Sequence, residues 1–136
     1  MFPIQSVWLL RVSLVYFFIG TLLGALLMYQ KVFVYNPSIW FLLPIHYSIM
    51  IWGFFLQFIM GTAYWMFPKH LSMYPRGSNF QAWCLLIGYN FGFFCLLISM
   101  IFSPNSTLEF IGKIMMLVSI LIFIKLIWSR SISYNS

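Results

Sequence analysis

Four apolar runs alternate with short turn-rich connections along this chain, near residues 7–29, 44–67, 80–102 and 108–129. Each run is roughly 20 residues or longer, enough to cross about 30 Å of hydrocarbon as a helix. The connections are short, so successive helices are expected to run antiparallel. The pattern predicts an all-α fold: one transmembrane domain over residues 1–136, an integral membrane four-helix bundle. Asn36-Pro37-Ser38 marks a turn, and Pro44 opens the second run, where a missing N–H is harmless. Residues 30–43 are apolar for a connection, and Tyr35, Trp40 and Phe41 suit a segment lying in the membrane interface. Residues 67–79 read as a true loop, with two prolines and Gly77 as breakers. Ser103-Pro104-Asn105-Ser106-Thr107 is a tight turn, from which Ser106 or Thr107 can cap the last helix. Glu109 in its first turn complements the dipole.

Composition agrees with burial in lipid. The chain is 63% hydrophobic and 6% charged, against about a quarter charged in a soluble domain. Glu109 is its one acid, set against seven Lys and Arg. The net charge of +6 does not imply nucleic acid, because the basic residues are scattered at helix ends. Arg11, Lys69, His70, Arg76 and Arg130 fall on one side, with Lys125 able to snorkel towards it. Lys31, Glu109 and Lys113 fall on the other. The positive-inside rule then places both termini in the cytoplasm. The first run is read as a retained helix, since its apolar stretch is long for a signal and no A-x-A-like site follows. Cys84 and Cys95 lie roughly 16 Å apart along one helix, too far for a mutual disulfide. They read as small buried apolar residues.

Small and polar residues within the runs carry packing information. Gly20-Thr21-Leu22-Leu23-Gly24 and Gly88-Tyr89-Asn90-Phe91-Gly92 are GxxxG steps, which let helices approach closely. They either pack helices within the chain or join two chains. Gln57 and Asn90 are mid-run amides at comparable depth, and each needs a partner in hydrocarbon. A Gln57–Asn90 hydrogen bond is the expected solution.

His46 is the candidate for chemistry. A histidine within an apolar run is costly and is usually retained for a function. Stepping along the helix, Met50, Gly53, Gln57, Met60, Gly61 and Tyr64 share its stripe. A porphyrin ligated at His46 would meet the thioether of Met50 and find room at Gly53. The other reading is an interfacial histidine bonded to a carbonyl or a lipid headgroup. His70 cannot share a metal with His46, because twenty-four helical residues span roughly 36 Å. A second axial ligand would come from Met28, Met100, Lys113, water or the His46 of another chain across a twofold axis.

His46, Gly53-Phe54, Ile59, Gly61 and Phe67-Pro68 form the pattern H-x6-G-[FW]-x4-I-x-G-x6-P, and Pro75-Arg76-Gly77-Ser78 follows. The pattern resembles the second transmembrane helix of haem–copper oxidase subunit I, and more closely the small four-helix bacterial proteins similar to that subunit. The resemblance covers about residues 7–102. It implies a haem b protein in which His46 is an axial ligand, with Trp40, Trp52 and Tyr47 around the cofactor. The family's second axial histidine and its copper-site histidines have no counterpart in this chain. The resemblance therefore implies no terminal oxidase on its own, but electron transfer, a respiratory-complex subunit or a homodimer. A diatomic-gas sensor with an open haem position and a cofactor-free structural or assembly subunit are the alternatives. One carboxylate provides no acid–base pair for an independent hydrolase.

Overall fold

The computed structural model describes residues 3–34, 36–67, 77–102 and 107–132. Its elements are α1 (Ile4–Phe33), a 3-10 turn (Pro37–Phe41), α2 (Leu42–Ser48), a π-helical segment (Ile49–Leu56), α3 (Gln57–Met66), α4 (Asn79–Phe102) and α5 (Thr107–Ile132). The stretch Pro37–Met66 is continuous and forms the second of four helices long and apolar enough to cross a membrane. Helices suit such a chain because hydrocarbon leaves no water for backbone groups, so each segment must satisfy its own. Tyr35, Pro68, Lys69, His70, Pro75, Arg76 and the turn residues 103–106, with the Ser106 cap, lie outside the described residues.

The four expected runs are all helical, and they extend further than the hydropathy pattern indicates. The pattern places a connection over residues 30–43, whereas α1 continues to Phe33 and helical structure resumes at Pro37. Side-chain amides make this close turn possible. The Val34 N–H donates to Gln30 O at 2.8 Å with Val34 left-handed (φ 46°), which ends α1. Gln30 Oε1 accepts from the Asn36 N–H at 2.9 Å, and Asn36 Oδ1 accepts from the Ser38 N–H at 3.0 Å. Asn36 thus caps the 3-10 turn, with Pro37 at its first position.

The helices associate as two hairpins. α1 lies along the second span, and α4 lies along α5, with much sparser contact between the pairs. Each hairpin closes on one of the glycine steps. A Cβ on Gly92 would sit 2.8 Å from Gly112 O, and one on Gly112 would sit 2.7 Å from Gly92 O. A Cβ on Gly88 would meet Ser119 Oγ at 2.8 Å. Gly20 and Gly24 do the same for α1, facing Met50 and His46. Both GxxxG steps therefore serve contacts within the chain.

A core of Leu9, Ile45, Ile49, Met60, Leu85, Leu86, Tyr89, Phe93, Leu96 and Met116 sits where the hairpins meet. The outside is apolar as well: Phe18, Val32, Phe91, Phe94, Phe110 and Trp128 are among many exposed large hydrophobic residues. A surface of that kind matches lipid rather than water.

The expected Gln57–Asn90 bond does not form. Gln57 Nε2 donates to Leu9 O of α1 at 3.4 Å. Asn90 Nδ2 donates back to Leu86 O at 2.8 Å, and its Oδ1 accepts from Tyr16 OH at 3.3 Å. The physical reason is that α1 faces both helices and supplies a partner to each. Gln57 is fully buried, and among the described residues its Oε1 accepts no bond. A half-satisfied amide contributes little, because its desolvation offsets a single long bond. Gln57→Leu is accordingly expected to leave stability unchanged or raise it by up to about 1 kcal/mol. Thermal unfolding in detergent measures this, and a clear loss of stability would show that the amide has a further partner.

Candidate functional site

The His46 stripe of the second span runs antiparallel to α1, and α1 covers it. His46 faces Gly24, Met50 faces Gly20, Gly53 faces Tyr16, Gln57 reaches Leu9, and Gly61 packs on Leu9 and Leu10. Ser6 Oγ closes the far end by donating to Gly61 O. The helical stripe read from the sequence is thus a real face, directed at a neighbouring helix of the same chain.

His46 is half-buried, and its Nδ1 lies 2.9 Å from Gly20 O. A carbonyl only accepts, so the contact is a hydrogen bond only when the proton is on Nδ1. The neutral ring then carries its lone pair on Nε2. Gly24 makes this arrangement possible. It lies one turn beyond Gly20, and a Cβ there would sit 2.9 Å from His46 Cε1 and 3.6 Å from Nε2. The ring rests in the space that any side chain at position 24 would fill. Anchoring of one ring nitrogen on a backbone carbonyl is the usual way a protein orients the other towards a metal. His46 therefore fits the role of a single axial nitrogen ligand.

Met50 and Gly53 sit in different surroundings. Met50 lies against Gly20, where a Cβ would be 2.5 Å from its Sδ. The space over Gly53 is filled by Tyr16 of α1 and Phe93 of α4, each 2.9 Å from an added Cβ. Those two rings meet edge to face at 5.1 Å. Tyr47 keeps its ring 5.7 Å from that of His46. Trp52 turns instead towards α5, where it shares a groove with Lys113.

Of the suggested second ligands, Met28 alone lies on the α1 stripe of Gly20 and Gly24, one turn further along, and it is 65% exposed. Met100 Sδ accepts from Ser48 Oγ. Ser48 is two residues from His46 and so faces elsewhere. Lys113 pairs with Glu109 on its own helix. Among the described residues no three His, Cys, Asp or Glu converge, and Cys84 and Cys95 are both free thiols.

Two features escape the sequence pattern. The turn around Gly53 is widened into a π-helix over Ile49–Leu56, a local change that often accompanies functional sites. Within it, Trp52 O accepts from Tyr89 OH at 2.7 Å. The glycine in the run was the only hint. Arg130 is the second: it is fully buried, and it donates to Tyr64 O at 3.0 Å and to Phe67 O. Compared with family models, curated proteins and solved structures, the chain matches none.

Proposed function

We propose that this is a multi-pass protein of the bacterial inner membrane, with both termini cytoplasmic, that binds haem b through His46 and takes part in electron transfer. The carrying observation is the 2.9 Å contact from His46 Nδ1 to Gly20 O, in the space left by Gly24. It supports the reading because it leaves the Nε2 lone pair for iron. When bound, haem b supplies a one-electron couple whose potential depends on its axial ligands and surroundings. The chain contributes the ligand, the carbonyl that holds its tautomer, and apolar helices that keep water away. A homodimer would supply a second His46, and a respiratory complex would supply a ligand from another subunit.

The reading is tested by the visible spectrum and pyridine haemochrome of detergent-purified protein. His46→Ala is expected to abolish the Soret band. Gly24→Ala, which pushes the ring off its carbonyl, is expected to weaken haem retention about tenfold. About half a haem per chain in the wild type would support two copies of His46 on one iron. A His46→Ala protein with full haem content would end the proposal.

A second reading is favoured by the packing of Met50 and Gly53. Both are committed to contacts within the chain, and His46 bonded to Gly20 O can equally be an interhelical clasp. The chain would then be a cofactor-free packing or assembly subunit. Colourless wild-type protein co-purifying with larger partners would establish it.

A further inference from the structure

We propose that a zwitterionic phospholipid whose head carries both a phosphate and a primary ammonium binds where the two hairpins meet, on the ion pair Lys113–Glu109. The inference goes beyond the haem reading and does not involve His46. A groove of about 280 Å³ opens there, lined by Trp52, Leu96, Lys113, Met116, Leu117 and Ile120. It exists because the hairpins touch sparsely. Lys113, Met116, Leu117 and Ile120 form one stripe of α5, so the groove runs along that helix for roughly 10 Å. Its walls are apolar except at one end, where Lys113 lines it and reaches back one turn to Glu109.

Charge complementarity selects the occupant. Glu109 is the chain's one acidic residue, and it stands beside the cation at the mouth of this groove. The Lys113 ammonium has three donors, of which Glu109 engages one. A lipid phosphate accepts from Lys113 while the lipid ammonium donates to the Glu109 carboxylate, closing an alternating ring of four charges. One acyl chain then lies on Leu96, Met116, Leu117 and Ile120. An anionic head would add a second negative charge beside the Lys113–Glu109 pair and bring no cation of its own. A choline head carries no N–H to donate to it.

The test is native mass spectrometry of the full chain in non-ionic detergent, titrated with phosphatidylethanolamine, phosphatidylcholine and phosphatidylglycerol of identical acyl chains. Phosphatidylethanolamine is expected to be retained about fivefold better than either of the others. Glu109→Gln should remove its advantage over phosphatidylcholine, and Lys113→Met should lower retention of all three. Leu117→Trp, which fills the groove, should lower retention with the ion pair intact. Lys113 has 61% of its side chain exposed, and the i,i+4 pair contributes only tenths of a kcal/mol, so both charge variants should fold. Equal retention of the three lipids, a preference for phosphatidylglycerol, or an undiminished preference in Glu109→Gln would each overturn the proposal.

Discussion

Gly92→Ala is expected to destabilise the α4–α5 hairpin by about 2–3 kcal/mol, and Gly112→Ala by a similar amount. The reason is the kind of atom each new methyl would meet. At Gly92 it would lie 2.8 Å from Gly112 O, 2.9 Å from Met115 Cβ and 3.1 Å from Met116 N. At Gly112 it would lie 2.7 Å from Gly92 O and 3.0 Å from Leu96 N. All but Met115 Cβ are backbone atoms, and a Cβ moves only with its own backbone, so relief requires the two helices to separate. Separation loses dispersion contact along the whole seam, and in lipid no hydrophobic term between helices compensates for it. Gly88 is the internal control. Its methyl would meet Ser119 Oγ at 2.8 Å, the end of a side chain that can rotate away from its bond to Met115 O. Gly88→Ala should therefore cost clearly less, about 1 kcal/mol. Thermal unfolding in detergent, followed by circular dichroism, gives the order directly. Equal tolerance of alanine at positions 88, 92 and 112 would contradict the close backbone approach.

The same glycines show what a sequence can and cannot carry here. Four helices were legible because hydropathy and length answer one question, whether a segment can live in lipid. The glycine steps were legible as close contacts, since small residues one turn apart have few other uses in a span. Their partners were not, because a GxxxG step specifies a distance and no neighbour. Gly20 faces Met50 and Gly24 faces His46, so the glycine step and the histidine stripe are two sides of one contact. The Gln57–Asn90 bond failed for the same reason: equal depth on successive spans is not adjacency, and α1 stood between as the nearer partner. The stripe containing His46 was visible at a period of 3.6, although the π-helical segment Ile49–Leu56 interrupts that period. Gly53 stays on the covered face because the rings of Tyr16 and Phe93 occupy it. The tautomer of His46 was out of reach, since it is set by a carbonyl 26 residues away in the chain.

Arg130→Ala is expected to lower stability by about 3 kcal/mol. In the sequence Arg130 counts only as one more cation at a helix end, a contributor to topology. In the fold it is 0% exposed. Its guanidinium reaches from the end of α5 to the end of the second span, donating to Tyr64 O at 3.0 Å and to Phe67 O. It also lies over the Tyr64 ring at 5.5 Å. α3 ends at Met66 and the chain turns extended at Phe67, so these carbonyls belong to a helix C-terminus, where unsatisfied oxygens and the negative end of the dipole coincide. A guanidinium suits the position better than an ammonium because its planar fork spans two acceptors while its charge answers the dipole. The contact also crosses between hairpins that otherwise touch sparsely, so losing it weakens their join at that end, where Tyr64, Ala82 and Leu126 also pack together. Arg130→Lys should keep the charge and one bond and recover roughly half of the loss. Arg130→Met, which keeps the packing and removes the charge, should resemble alanine. Unfolding midpoints in the order wild type, lysine, then methionine with alanine would establish Arg130 as the tie between the hairpins. An alanine variant that melts with the wild type would remove that role.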